Sequence, residues 1–586
     1  MFAQAQAALK RYLPILDWGR RYDKDAATGD LVAGLVVAIM LIPQAMAYAM
    51  LAGLPPQAGL YGSIVPLLLY AVLGSSRALA VGPVAVVSLM TAAAAGELAA
   101  QGEPAYHLAA LALALLSGAL LLVLGVLRLG FLANFLSHPV ISGFITGAGL
   151  IIAGSQLRHV LGAPVRGSTL PELAASFRDA VAEIHAPTVA LSIAVLSFLF
   201  ASRRWMAPGL RKLGLSAAVA RFLSRSSLLI AVALSTVAVW LFELHAAGVA
   251  IVGDVPRGLP SLSLPPLDRE FLQPLLAPAA LIAIVGYVES ISVAQTLAAR
   301  RRQRVDPDQE LVALGASNLG ASVTSAMPVT GGLSRSIVNF DAGARTPAAG
   351  AMTALLVVLT LVLLTPLLRF LPNATLAAII IVAVVSLLDF KAIGRAWRYS
   401  RADGAAMIAT LSVTMLVGVE QGLIAGVGLS LVLHLYRTAR PHIAIVGQVP
   451  GTEHFRNVER HAVATDPRIL AIRVDESLYF PNARMLEDRI NAEIARRPEV
   501  EHVLLVCSAV NTIDASALDS LEAINTRLRE AGVAFHLSEV KGPVMDRLQT
   551  TAFLEELNGE VFLTSFEAMK SLSPELAEKT LAGERG

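Results

Sequence analysis

Apolar stretches long enough to cross or half-cross a bilayer recur so often between residues 31 and 436 that no water-soluble core could absorb them. They lie near 31–51, 58–74, 83–97, 106–127, 131–155, 187–202 and 227–244, then near 276–298, 309–326, 332–340, 348–370, 372–388, 404–419 and 421–436. About fourteen such segments, in a chain of 586 residues that is 55% hydrophobic and 15% charged, predict a polytopic α-helical membrane protein. In lipid each helix satisfies its own backbone, so the class follows from hydropathy.

Charge sets the orientation. With the N-terminus inside, the inside loops hold Arg77, Arg128, the basic residues of 203–225 and 300–304, Arg345 and those of 391–401. Glu103, Asp254, Asp268 and Glu270 fall outside, with Arg158, Arg166 and Arg257 as exceptions. Two sets of seven segments are odd in number and so oppositely oriented, which predicts an inverted repeat with a site where the halves meet. The repeats cover about 30–250 and 270–438 of a transmembrane domain at 30–438.

The third segment of each set is short and follows helix breakers: Val81-Gly-Pro-Val-Ala85 in one, Thr330-Gly-Gly-Leu-Ser334 in the other. A helix that starts in mid-membrane points unpaired N–H groups and the positive end of its dipole into the protein, which favours an anion. Arg335 follows at once, and an arginine at that depth costs about 2.5–3.5 kcal/mol, so it needs a partner or a task. The alternatives are two ordinary kinked spans and an arginine that snorkels to the surface. Glu289, halfway along the eighth segment, is an acid able to take up and release a proton; a fixed Glu289–Arg335 ion pair is the competing reading.

Several function classes are excluded. A net charge of +2 gives no nucleic-acid signature, and the single cysteine, Cys507, excludes an intramolecular disulfide framework. No Cys/His cluster has metal-ligand spacing, so neither a metal nor a cofactor is expected. Neither a P-loop nor a nucleophile with its base is found, which argues against ATP-driven transport and against an enzyme. Residues 1–29 carry Lys10, Arg11, Arg20, Arg21 and Lys24 without an apolar core and read as a cytoplasmic segment.

After a linker at 439–465 the pattern changes to short β-type runs alternating with amphipathic helix, as in 470–474, 502–506 and 515–531. This predicts a cytoplasmic α/β domain at 466–573 and a frayed tail at 574–586.

Together these motifs resemble the sulfate permease (SulP) family of anion transporters, and its bacterial sulfate-type members in particular. The resemblance rests on Pro43-Gln-Ala-Met-Ala-Tyr-Ala49, Leu51-Ala-Gly-Leu-Pro-Pro56, Gly59-Leu-Tyr61, Gly82-Pro-Val-Ala-Val-Val-Ser-Leu89, the Asn318 region, Ser334-Arg-Ser336 and Ala342-Gly-Ala-Arg-Thr346. The soluble part is similar to a STAS domain, most clearly at Val510-Asn-Thr-Ile-Asp-Ala-Ser-Ala-Leu518.

The resemblance implies a seven-plus-seven repeat with core and gate domains, a homodimer, and an anion held between the third and tenth half-helices. Gln44 and Tyr48 would line that pocket, Val84, Ala85, Leu333 and Ser334 would form its two helix starts, and Arg335 would add positive potential. Tyr48 and Val84 replace bulkier or less polar residues of some relatives, which implies a roomier pocket. Sodium-coupled bicarbonate relatives pair the acid at 289 with a hydroxyl one turn on. Here that residue is Val293, with Ser292 beside it, which favours proton over sodium coupling. Ser516 matches a site phosphorylated in anti-sigma antagonists; Asp514 or Ser516 acting as a helix cap is the plain alternative.

The expected function is secondary active transport of an inorganic oxyanion, sulfate with proton symport, by alternating access. Sodium-coupled bicarbonate transport, proton-coupled dicarboxylate transport, and an exchanger or channel are the alternatives. The expected setting is the inner membrane, with both termini cytoplasmic. The expected partners are the anion, the bilayer, a second copy of the chain and a cytosolic partner of the STAS domain.

Overall fold

The computed structural model describes residues 12–583, apart from 136, 217, 218, 221, 222, 225, 255 and 257. Lys10, Arg11 and Arg257, with part of the basic run at 203–225, therefore lie outside the described residues. The chain divides into two compact units, residues 1–430 and 431–586.

The first unit contains the helical segments in two sets. The first set is Lys24–Leu51, Pro56–Tyr61 with Val65–Leu73, Ala85–Gly96, Pro104–Val126, His138–Ser155, Ala186–Ala201 and Ser227–Leu241. The second is Leu276–Arg300, Pro307–Val323, Leu333–Asp341, Ala348–Leu359, Asn373–Val385, Arg401–Leu416 and Val419–Ala439, the last of which belongs to the second unit from residue 431 on. Local chemistry sets several starts. Asp23 caps the first segment by accepting from Ala26 N at 2.7 Å, and Asp306 caps the ninth, where Pro307 fills a position whose N–H would have no partner. Short β1 (Val81–Gly82) and β2 (Thr330–Gly331) pair antiparallel, Val81 opposite Gly331, just ahead of the third and tenth segments. The antiparallel pairing makes those two half-helices approach from opposite directions.

Segments one to four pack with eight to eleven, while five to seven pack with twelve to fourteen. The fourth and ninth cross very closely: a Cβ on Gly118 would lie 2.9 Å from Gly315 O, and the reverse holds for Gly315. The first segment also touches the seventh and the twelfth, so it runs along the boundary between the two groups.

In the second unit β3 (Ile443–Gln448), β4 (Phe455–Asn457), β5 (Ile469–Val474), β6 (His502–Val506), β7 (Ala534–Ser538) and β8 (Val561–Phe562) form one sheet in the order 4-3-5-6-7-8. The pairs from β5 to β8 are parallel, and β3 is antiparallel to both neighbours. Alternation splits each strand between two cores. Leu470, Ile472, Val503 and Leu505 meet Leu486, Ile490, Leu521 and Ile524, whereas Ile469, Ala471, Leu504 and Val506 meet Ala568, Met569 and Ala577.

Four stretches differ from the sequence reading. The stretch 439–465, read as a linker, carries β3 and β4; a six-residue run beside Gly and Pro shows no strand until it pairs with β5. The tail read as frayed contains the helix Pro574–Leu581, with Ala577 and Thr580 fully buried and Thr580 O accepting from Gly451 N at 2.7 Å. Within 1–29, the first segment already begins at Lys24, and the basic stretch at 391–401 is mostly the amphipathic helix Phe390–Tyr399.

Candidate anion site

The residues expected to form a pocket do come together. Gln44, Tyr48, Val84, Ala85, Glu289, Leu333, Ser334 and Arg335 all line one cavity of about 40 Å³, completed by Val86, by Gly332, by Ala383 and Val384 of the twelfth segment, and by Leu387 just beyond its end. The cavity thus lies between the two packed groups of segments. A water needs about 10–15 Å³ of such space, and drug-sized ligands occupy about 300–1,000 Å³, so this volume suits a small ion.

Two helix starts form its opposing walls. Val84 and Gly332 are the N-cap positions of Ala85–Gly96 and Leu333–Asp341, and neither gives a side-chain cap. The first intrahelical bonds are Ser88 N to Val84 O and Ser336 N to Gly332 O, so the N–H groups of residues 85–87 and 333–335 have no partner within their helices, while Gly332 N donates to Ala80 O at 3.1 Å. Val84 and Ala85 are buried, while Leu333 and Ser334 are exposed. Pro43 stands inside the first segment and removes one rung of its ladder next to Gln44.

Arg335 does not snorkel. It is 2% exposed, its Nη1 donates to Pro83 O at 2.6 Å, and its Nε and Nη2 are buried without a partner among the described residues. Gln44 Oε1 is likewise buried and without a partner among the described residues. Glu289 and Arg335 share the cavity but form no ion pair within 4.0 Å among the described residues, so the fixed-pair reading fails. Ser292 Oγ is spent on Val288 O at 2.7 Å, and Val293 is buried.

The residues that hold this geometry carried weaker sequence signals. Asn318 accepts from Val329 N and donates to Val329 O, both at 2.9 Å, which fixes the approach to β2. Gly331 N donates to Ser290 Oγ (2.8 Å), Ser290 meets Thr330 Oγ1 (2.6 Å), and Thr330 donates to Gly286 O (2.5 Å), a relay that seats β2 on the eighth segment beside Glu289. Ala80 N donates to Ser336 Oγ at 2.9 Å and Asn339 Nδ2 to Ala78 O at 3.0 Å, joining the β1 approach to the tenth segment. Glu310 accepts from Tyr70 OH, Ser75 N, Ser75 Oγ and Ser76 N. Asp30 accepts from Arg345 N, Thr346 N and Thr346 Oγ1. Buried acids at segment ends could have been flagged from sequence; their partners could not.

The other singled-out residues lie outside this cavity. His185 is bonded by Thr188 Oγ1 at 2.8 Å and Ala247 O at 2.9 Å, and His138 opens a helix. In the soluble unit Asp514 caps Ala515–Glu530, accepting from Ala517 N at 2.8 Å and from Phe480 N at 2.9 Å; Ser516 is exposed in the first turn. Cys507 is buried, and the apolar surroundings push its thiol up to about 12.

Oppositely directed half-helices around an ion-sized cavity, set within paired groups of apolar segments, define a polytopic membrane transporter. The chain belongs to the sulfate permease family, whose family model matches residues 28–410, and a STAS domain matches 461–568. Among curated proteins it is 36% identical to Probable sulfate transporter MT1781 of Mycobacterium tuberculosis, over 93% of this chain and 95% of that one. It is also 36% identical to Sulfate transporter 4.1, chloroplastic, of Arabidopsis thaliana, over 94% and 80%. Among solved structures, SLC26A9 superposes with a TM-score of 0.88 at 25% identity, covering 99% of this chain and 96% of that one.

Proposed function

We propose that this chain carries sulfate across the membrane by alternating access, together with a proton. The observation that carries the reading is the pair of uncapped helix starts with the unpartnered Nε and Nη2 of Arg335 in one ion-sized cavity. A divalent oxyanion there would accept from backbone N–H groups, the Ser334 hydroxyl and the Arg335 guanidinium, with both dipoles favouring its charge. Gln44 and Tyr48 would orient it. The names of the curated relatives support sulfate as the cargo.

Glu289 is the proposed proton carrier. It lines the cavity without an ion pair to Arg335, so an arriving anion would change the charge it faces. Val293, and the engagement of Ser292 with Val288 O, support proton over sodium coupling. Rocking of one packed group against the other would expose the cavity to each side in turn. The setting we infer is the inner membrane with both termini cytoplasmic, as a homodimer. The STAS domain would recruit a cytosolic partner, with Ser516 exposed for phosphorylation.

The test is uptake of labelled sulfate into proteoliposomes with and without an inward proton gradient, with bicarbonate and fumarate as competitors. Acceleration by the gradient and resistance to both competitors are expected. Sodium-dependent bicarbonate uptake without sulfate uptake would overturn both assignments.

A further inference from the structure

Away from the central cavity, two adjoining clefts share Arg77 and Gln303. One, of about 730 Å³, is lined by Arg77, Arg301 and Arg345 with Asp25; the other, of about 470 Å³, by Arg77 and Arg304 with Asp17. Four arginines thus line the clefts with two aspartates, Asp30 and Asp341 also lie close enough to act on Arg301, and Asp17 already has Arg21 at 3.4 Å. The side chains of Arg77, Arg304 and Arg345 have neither hydrogen-bond nor ion-pair partners among the described residues; Arg345 uses only its backbone N–H, on Asp30. Arg301 is fixed behind them: its guanidinium donates to Ala344 O and Phe340 O and stacks 4.0 Å over the Phe340 ring. Burial, and then the Arg345 charge beside it, push the Arg301 guanidinium down, against the smaller opposing pull of Asp30 and Asp341.

The cluster also has a position of consequence. Arg77 precedes β1 and the third half-helix, in a loop held by Glu310 through Ser75 and Ser76. Arg345 follows the tenth half-helix, in a loop held by Asp30. One ligand in the larger cleft would therefore bridge the connections of both half-helices that wall the anion cavity.

We propose that this double cleft binds a phosphate-bearing anion, gripped by Arg77 and Arg345 with Arg301 behind them, and that the ligand couples the two half-helix connections. Guanidinium forks match phosphate oxygens bidentately. The volumes fall in the range of about 300–1,000 Å³ usual for small-molecule sites, far above the central cavity. The same chemistry is offered by a soluble phosphate compound and by an anionic phospholipid headgroup. The inference stands apart from which ion the central cavity carries.

The test uses the purified full chain, its thermal unfolding followed with inorganic pyrophosphate and with sulfate, each against chloride at equal ionic strength, and then in phosphatidylcholine nanodiscs with or without phosphatidylglycerol. Pyrophosphate is expected to stabilise the wild type. Arg77→Gln and Arg345→Gln should each weaken its binding about ten- to a hundredfold, the equivalent of one charge-assisted pair, while Arg302→Gln, outside both clefts, leaves it unchanged. Arg345→Lys keeps the charge without the fork; it should fold as the wild type does and bind with intermediate strength. Stabilisation by phosphatidylglycerol alone, lost in the same variants, would identify a lipid as the source and still support the site. Stabilisation by sulfate that survives in Arg77→Gln and Arg345→Gln, with pyrophosphate acting equally on all variants, would place the effect in the central cavity and overturn the proposal; so would no response to either probe.

Discussion

Arg335 Nη1 donates to the carbonyl of Pro83 at 2.6 Å, so the first turn of the tenth segment is tied to the residue that precedes the N-cap of the third. A Cβ on Gly332 would sit 3.0 Å from Nη2, so glycine there leaves room for the guanidinium to lie back between the two helix starts. The bond holds the two walls of the cavity in register and leaves two donors for an anion.

Arg335→Ala is expected to cut sulfate uptake into proteoliposomes at least about tenfold, because a hydrogen bond to a charged group is worth about 1.5–3 kcal/mol. Arg335→Lys keeps the charge but cannot serve Pro83 O and the anion together, and should recover only part of the rate. Uptake equal to wild type in the alanine variant would remove Arg335 from the site.

Glu289→Gln should keep sulfate exchange and lose acceleration by an inward proton gradient. Counterflow of labelled sulfate, compared with gradient-driven uptake on the same vesicles, separates the two. Unchanged gradient dependence would assign the proton to another group.

Glu310→Gln should destabilise the protein by about 3 kcal/mol or more, since an amide presents one acceptor and two donors to the four donors of Tyr70, Ser75 and Ser76. Tyr70→Phe removes one donor and should cost about 1 kcal/mol. Thermal unfolding in detergent orders wild type, Tyr70→Phe and Glu310→Gln; an inverted order would refute the account.

In the soluble unit His536 Nδ1 accepts from Glu560 N at 2.9 Å, so neutral His536 carries its proton on Nε2 and donates to His502 Nδ1 at 3.2 Å. Burial, and then the neighbouring His502, lower His536 from 6.5 to about 4. The unfolded chain therefore binds more protons between these values, and stability rises with pH there. The full contribution is present above about 6.5 and is lost as pH falls towards about 4. Hydrogen exchange of peptides spanning 502–538, corrected for intrinsic rates, should show protection falling across that window, and His536→Gln should flatten the fall.

The membrane architecture was legible because hydropathy acts segment by segment: lipid forces each apolar run to close its own backbone bonds, whatever its neighbours are. The half-helices were legible for a related reason. Gly82-Pro83 and Gly331-Gly332 interrupt helix locally, and Arg335 and Glu289 are costly wherever they stand in the bilayer. Less was visible of what seats them. Asn318 reaches Val329 eleven residues on, while Glu310 reaches Ser75 across 235 residues, and neither spacing leaves a periodic trace. β3 was missed because a strand is confirmed by its partner, and Ile443 pairs with Val474.

The sequence by itself determined that this chain is a multi-segment membrane protein with two interrupted helices, a buried arginine and acid, and a soluble α/β domain, because burial and helix breaking are properties of single residues and short runs. Only the tertiary structure decided that Gln44, Tyr48, Glu289 and Arg335 share one small cavity, that Arg335 bonds Pro83 rather than Glu289, and that Arg77 and Arg345 meet at one cleft. Those are distances between residues far apart in the chain, set by how the segments pack.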